Sequence, residues 1–207
     1  GLAPSEASPV IRITSTGVGV VAALHASIVR GLVADGLSVV TGQPAPSVER
    51  AIPGVYLAPE DVIGPIKGKE GYADVAGAIR VLSPLADASV TVRIVRAAGG
   101  ETTTQLDLVA GQVRDLALVE LGSGDVGIIV ESSEPVVAAV RQSVGTDQAT
   151  DTSWVGSSYP LLGTAALAVP AVGESRVTIV NTGEASVAVN FDGRDVEIPA
   201  GGAVTRP

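Results

Sequence analysis

The sequence of 207 residues contains no cysteine and no methionine. Without cysteine the chain can form no disulfide, no thiolate metal site and no cysteine nucleophile. The lack of cysteine does not fix the compartment, because many exported bacterial proteins also lack it. The chain begins at Gly1 rather than at a methionine and shows no signal peptide, so we expect either a processed form or an excised piece of a longer protein.

Aromatic residues are scarce, with one Phe, one Trp and three Tyr in the whole chain. Because 46% of the residues are nevertheless hydrophobic, the chain has enough apolar surface to bury a core. That core must be aliphatic and built mainly from valine and alanine. No apolar run is as long as a membrane helix requires, so we expect no membrane span.

Positive charge is scarce as well, because 13 Lys and Arg residues face 22 Asp and Glu residues, giving a net charge of −9. A nucleic acid partner would require a basic stripe with interleaved aromatic residues. The sequence has neither, so we exclude nucleic acid as a partner. An anionic membrane surface is disfavoured for the same reason.

An alternating stretch over residues 105–143 is typical of antiparallel strands joined by turns. Leu106 and Leu108 would point to one face of a strand, with Gln105 and Asp107 on the other. The following segments are rich in β-branched residues, which favour strands. Glycine, proline and aspartate predict the turns between them at residues 110–112, 122–125 and 132–135.

The same pattern continues towards both ends of the chain. Residues 18–25 fit either a strand or one face of a helix, and we favour a strand because residues 136–140 match them and are soon followed by Gly145. We expect a turn at residues 35–36 and a polar loop over residues 145–153. Asp192–Gly193 is the strongest hairpin signal in the chain.

Short sequence matches indicate a tandem repeat. Four pairs of segments match in the same order along the chain: residues 20–27 with 136–143, 51–55 with 168–172, 88–90 with 185–187 and 110–111 with 200–201. The offsets are 116 (136 − 20), 117 (168 − 51), 97 (185 − 88) and 90 (200 − 110). Each match is weak alone, and their common order is what favours a repeat.

The repeat predicts an all-β fold with little or no helix, made of two β-sandwich units of the immunoglobulin-like or Greek-key type. Residues 47–163 would form one complete unit. Residues 1–46 and 164–207 would be half-repeats that together form the second unit. We expect the halves to close on each other within one chain, with strand exchange between copies as the alternative.

Residues 58–77 interrupt the repeat. The offset between matched segments falls by 20 (117 − 97) where this segment lies. We therefore interpret the segment as an insertion in one copy of the repeat. We expect an exposed and mobile loop there.

Residues 122–127 spell the glycine fingerprint of dinucleotide-binding folds. The fingerprint works only between a strand and a helix, where the helix N-terminus meets the pyrophosphate. Because residues 128–130 are typical of a strand, we favour a hairpin turn over a nucleotide site.

His25 is the only histidine, and it lies in an apolar segment with no acidic partner nearby in sequence, so we expect neither a serine triad nor a two-histidine metal site around it. Asp125, Glu131, Asp147 and Asp151 do not follow the spacing of a calcium loop. Paired carboxylates for glycoside hydrolysis need only spatial closeness and stay open. We therefore expect no catalytic residue, no cofactor and no metal.

Trp154 and Tyr159 are the candidate binding residues. Sugar clefts usually stack sugars on aromatic rings, and these two residues are the only candidate platform in the chain. The alternative, which we favour, is that Trp154 packs at the end of the sandwich.

Several segments resemble one actinobacterial family of envelope proteins whose domain has no assigned function. The resemblance is carried by residues 20–32, 45–46, 51–54, 107–116, 135–141 and 151–154. It implies an exported protein with repeated β-rich units, and it offers no catalytic residues. Family members usually carry an N-terminal hydrophobic segment, which this sequence does not show.

From these observations we expect a non-enzymatic, exported β-sandwich protein that acts as a structural or interaction module of the bacterial cell envelope. Its partner would be an envelope protein or polysaccharide outside the cytoplasm. The alternative is a carbohydrate-binding module or glycosidase that uses Trp154 and Tyr159 as a sugar platform.

Overall fold

The structure is a computed structural model that describes residues 13, 15–16, 22–30, 33–41, 45–57, 77–118, 121–146, 149–158, 160–161, 163–166 and 174–207. Within these ranges the chain is all-β and contains no helix, so the all-β part of the predicted fold class is confirmed, whereas the two β-sandwich units stay a prediction. The strands are β1 (Ala23–Arg30), β2 (Val33–Thr41), β3 (Ser47–Leu57), β4 (Ala78–Leu82), β5 (Ala88–Arg96), β6 (Glu101–Leu108), β7 (Val113–Ala117), β8 (Gly124–Thr146), β9 (Ala149–Gly156), β10 (Val177–Val180), β11 (Val187–Phe191), β12 (Arg194–Ile198) and β13 (Ala203–Arg206).

The centre of the fold is a curled, seven-stranded antiparallel sheet. The first half of β8 pairs with β3 and β5, and β6 lies beyond β5. The second half of β8 pairs with β4 and β9, and β7 lies beyond β4. We call these the first and second half-sheets, and β8 is the strand that they share.

Aliphatic side chains from both half-sheets form one core cluster. Val90 and Val92 of β5 and Ile79 and Val81 of β4 are at most 1% exposed. Because side chains in a strand alternate between faces, every second residue of these strands enters the core. Full burial of one such side chain stabilises a fold by about 1.5–3 kcal/mol.

The turn predicted at residues 132–135 is wrong, because β8 continues through it for 23 residues. The register against β3 shifts there, from Ser47 opposite Val136 to Glu49 opposite Glu131. Residues 132–135 therefore form an irregular bulge rather than a turn. Bulges of this kind let one strand bend and pass from one sheet to another.

In the N-terminal hairpin of β1 and β2, a predicted turn is likewise replaced by a bulge. The strand interpretation is confirmed for the described residues 23–25, which belong to β1. The turn predicted at residues 35–36 is wrong, because both residues lie inside β2. Ile28 pairs with Gly36 and Val29 with Ala34, so the residue between them, Asp35, is a β-bulge.

The polar loop predicted over residues 145–153 is also wrong. β8 and β9 form a long hairpin that runs from Ala139 opposite Gly156 to Thr146 opposite Ala149.

The C-terminal strands pair as two short sheets, β10 with β13 and β11 with β12. The hairpin predicted at Asp192–Gly193 is confirmed, and both residues have the positive φ that its turn requires, 49° and 78°. Val180 of β10 and Ala203 of β13 pack against Val95 and Ile129 on the outer face of the first half-sheet.

Other expectations fall outside the described residues. These include nearly all of the predicted insertion, residues 58–76, and residues 18–21 of the predicted strand at residues 18–25. The division into units formed by residues 1–46 with 164–207 and by residues 47–163 stays a prediction. The described residues contain no helix with the length and apolarity that crossing a membrane requires.

Candidate functional site

Trp154 lies on the outer face of the second half-sheet, in β9, where it is partly buried. The Cζ atom of Arg80 in β4 lies 5.2 Å from the centroid of the indole ring, which is within the range of a cation–π contact. β8 runs between these strands, and its Ala139 is the cross-strand partner of both Arg80 and Gly156. Ala139 and Gly156 have little or no side chain, so the guanidinium and the indole can meet above β8.

Arg80 also forms a two-pronged ion pair with Asp115 of β7. Its Nε and Nη2 atoms donate to the two carboxylate oxygens at 2.8 and 2.7 Å. The pair is exposed, at 34% for the Arg80 side chain and 43% for Asp115, so we expect it to contribute no more than about 1 kcal/mol. We call Trp154, Arg80 and Asp115 the outer-face cluster, and it joins three strands of one half-sheet.

Hydrogen bonding to Asp115 raises the pKa of Arg80, an effect that partial burial opposes and the charge of Asp115 reinforces. A raised pKa means that the folded state favours the charged guanidinium. The resulting stabilisation is fully present below the ordinary pKa of arginine and is lost only as the pH rises through the raised value. Arg80 therefore keeps its positive charge across the physiological pH range.

The geometry of the outer-face cluster bears directly on the predicted sugar platform. The guanidinium of Arg80 lies over the indole ring of Trp154, and this limits the ring surface on which a sugar would stack. Tyr159 lies outside the described residues, so the structure does not place it beside Trp154. The described part of the platform is Trp154 alone, partly covered by Arg80.

The glycine-rich segment 122–127 leads into a strand, and not into the helix that a nucleotide site needs. A hairpin turn is also wrong here, since β7 pairs with β4 whereas the start of β8 pairs with β3 and β5. The segment connects the two half-sheets instead. Gly122 and Gly124 have φ values of 84° and 103°, which side chains rarely allow.

Gly127 has a different role, because it allows the C-terminal strands to approach β8. A Cβ atom built on Gly127 would lie 2.4 Å from Cγ2 of Val180 and 3.3 Å from Cβ of Ala203. The absence of a side chain is therefore a packing requirement at this position.

Charged contacts hold the same strands in place. Arg176, just before β10, pairs with Asp125 of β8 at 3.2 Å, and its Cζ lies 6.0 Å from the ring centroid of Tyr56 in β3. Arg93 of β5 forms ion pairs with Glu131 at 3.2 Å and with Glu101 at 3.6 Å.

The remaining candidate residues form no common site where the structure describes them. His25 is exposed in β1 and pairs across the hairpin with Val39. Asp125 and Glu131 are engaged with arginines, and the side chains of Asp147 and Asp151 are outside the described set. Among the described residues there is no group of three His, Cys, Asp or Glu side chains that would hold a metal ion.

Comparison with known proteins places the chain in a family. Residues 1–203 match a family described as "Family of unknown function (DUF5719)". The chain belongs to this family. The search of curated proteins found no match.

Two solved structures are similar to this DUF5719 chain. A Thermotoga maritima protein, "Crystal Structure of Thermotoga maritima 1070", is 13% identical with a TM-score of 0.45, covering 56% of this chain and 96% of its own. The "Anabaena sensory rhodopsin transducer" is 16% identical with a TM-score of 0.35, covering 48% of this chain and 91% of its own. Both TM-scores are below 0.5, so neither likeness carries an argument about function.

Proposed function

We propose that the chain is a non-enzymatic structural or interaction module of an actinobacterial cell envelope, exported and located outside the cytoplasm. The coarse basis is an all-β fold in a family of unknown function. The resemblance of its strand and turn segments to envelope proteins supports the finer assignment. Its partner would be an envelope protein or polysaccharide.

The observation that carries the proposal is that charged and aromatic side chains on the outer faces of the sheet contact one another across strands. Arg80, Asp115 and Trp154 join three strands, and Arg176 with Asp125 fastens β10 to β8. Side chains that are paired in this way hold strands together. Such a surface suits a protein that bears load or presents a fixed shape.

The second candidate is a carbohydrate-binding module or glycosidase built on Trp154 and Tyr159. It is favoured by the position of Trp154, which lies partly exposed on an outward sheet face. Such faces present aromatic rings to extended ligands. The contact with Arg80 argues against it, because a stacked sugar would have to displace a guanidinium that is also held by Asp115.

Tryptophan fluorescence separates these candidates, because Trp154 is the only Trp and reports on its own surroundings. We expect no saturable change in emission when the protein is titrated with envelope polysaccharides. The same titrations by calorimetry would be run on Trp154→Ala and on Leu85→Ala, a control at an exposed position. Saturable binding lost in Trp154→Ala and kept in Leu85→Ala would contradict the proposal and support the sugar-binding candidate.

Two further measurements address the remaining parts of the proposal. A panel of ester, glycoside and phosphate substrates should show no turnover, and turnover of any of them would end the non-enzymatic assignment. Fractionation of cells that express the natural protein should recover it with the envelope or in the medium. Recovery in the cytoplasm would contradict the proposed localisation.

A further inference from the structure

Two exposed apolar residues far apart in the chain have buried counterparts in the central sheet. Leu24 of β1 is 52% exposed, whereas Val140, 116 residues later, is 0% exposed. Val187 of β11 is 43% exposed, whereas Val90, 97 residues earlier, is 1% exposed. These spacings equal the offsets of the matched sequence segments. Each exposed residue therefore corresponds to a core residue, but no neighbouring side chain that the structure describes buries it.

The β1–β2 hairpin, which carries Leu24, corresponds to the β8–β9 hairpin both in the residue ranges of its strands and in the residue pair that closes its turn. A shift of 116 residues moves β1 onto residues 139–146 and β2 onto residues 149–157. β8 pairs with β9 over residues 139–146. At the tips, Arg30 pairs with Val33 just as Thr146 pairs with Ala149.

The four C-terminal strands correspond in the same way to β4–β7. β4 pairs with β7 around the hairpin of β5 and β6, and β10 pairs with β13 around the hairpin of β11 and β12. In each group a glycine N–H also closes a connecting turn. The backbone N–H of Gly111 donates to the carbonyl of Ser83 at 2.8 Å, and that of Gly201 donates to Gly183 at 2.9 Å.

Where the structure describes it, the C-terminal group of β10–β13 lacks one strand that its counterpart in the central sheet has, the strand equivalent to β8. In the central sheet β4 and β5 each pair with β8 along their second edge. In the described part of the chain, β10 pairs with β13 alone and β11 pairs with β12 alone. An unpaired edge beside an exposed apolar side chain is suited to receive another strand.

We infer that the β1–β2 hairpin of a second copy of this chain docks on the β10–β13 group of the first. There β1 takes the place that the second half of β8 occupies beside β4. Leu24 and Val187 are both exposed in the same molecule, so the two elements do not cover each other within one chain. β2 lies beside β9 and β10 lies beside β3 and β8, which gives the two elements different neighbours.

The register of the interface follows from the central sheet. Ile79 of β4 pairs with Leu116 of β7 and with Val140 of β8. The offset of 90 carries Leu116 to Arg206, and the partner of Arg206 is Val177. Leu24 of one copy therefore pairs with Val177 of the next.

Because the two surfaces differ, each copy donates its β1–β2 hairpin to one neighbour and accepts a hairpin from another, and the copies form rings or filaments. This inference does not depend on the proposed envelope role.

Two variants that block opposite surfaces test the interface. Leu24→Asp removes the donor surface, and Val187→Asp removes the acceptor surface. By light scattering we expect each variant alone to have the mass of one chain. An equal mixture should reach the mass of two chains and no more, because the intact donor of one variant meets the intact acceptor of the other. Leu85→Asp, a control at a residue that is 75% exposed elsewhere, should assemble like the wild type.

The outcomes distinguish the inference from closure within one chain. A mixture that stays at the mass of one chain overturns it, and so does a wild type that never exceeds that mass. If an aspartate variant fails to fold, introduced thiols give a second measurement, because the chain has no cysteine of its own. Leu24→Cys mixed with Val177→Cys should form a disulfide-linked pair under mild oxidation, since directly paired strand residues lie close enough for a disulfide. Equal yield from the neighbouring Ala23→Cys control, or no cross-link at all, would overturn the inference.

Discussion

Gly127 sets the position of the C-terminal strands through a single missing side chain. Val180 fills the space above it, beside Ile129 and Val95. The small cluster around this contact fixes β10 and β13 to the outer face of the first half-sheet, together with the Arg176–Asp125 ion pair. The glycine that resembles part of a nucleotide fingerprint thus has a packing role.

Replacing Gly127 with alanine should therefore destabilise the fold, because the new methyl group would overlap Val180. Overpacking of this kind costs about 1–3 kcal/mol. The second substitution Val180→Ala removes the overlapping methyl and should recover part of the loss in a double-mutant cycle of denaturant unfolding. Purely additive effects of the two substitutions would show that the residues do not press on each other.

Arg80 should control how far solvent quenchers reach Trp154. Removing its side chain by Arg80→Ala uncovers the indole, so the rate constant for acrylamide quenching of tryptophan emission should rise. Arg114→Ala is the matched control, since Arg114 is an exposed arginine on the neighbouring strand β7. If both variants quenched like the wild type, Arg80 would not cover the ring in solution.

The sequence allows only part of the outer-face cluster to be predicted. Trp154 is conspicuous because it is unique, and its structural role was the favoured interpretation. Arg80 and Asp115 give no such signal, because they lie on different strands, 35 residues apart. Their pairing depends on the register of β4 against β7, and strand register between distant segments is not visible in local sequence patterns.

Strand β8 shows which features of an element its sequence determines. The alternation and β-branched residues correctly predict strands on both sides of residues 132–135. Serine and proline are typical of turns, yet the same residue types suit a bulge at the corner of a curled sheet. Asp35 in β2 is a second example, because this turn-forming residue type is there the extra residue of a bulge. The Asp192–Gly193 hairpin, by contrast, carries enough local information to fix its own geometry.

The segment predicted to be an insertion gives a prediction at the scale of an element. Replacing residues 58–76 with a short Gly/Ser linker should change the free energy of unfolding by less than about 1 kcal/mol, because one copy of the predicted repeat does without it. Chemical denaturation of the shortened and full-length chains measures the difference. A loss of several kcal/mol would show that the segment packs into the core.

At the scale of the whole molecule, the described strands form one core-forming sheet flanked by elements that would match parts of it in the predicted repeat. The sequence repeat predicts this relationship, and the β1–β2 and β10–β13 pairings are consistent with it. Whether the flanking elements complete each other within one chain or between copies depends on how they meet in space. Sequence offsets carry no information on that choice, whereas the exposure of Leu24 and Val187 does.

The most direct test of this account is the mass of the wild-type protein in solution over a range of concentrations. Static light scattering measures it without labels or substitutions. If incomplete units find their missing strand in another copy, the weight-average mass should rise with concentration beyond that of two chains, while Leu24→Asp stays at the mass of one chain. A wild type that keeps the mass of one chain at every concentration would contradict the account.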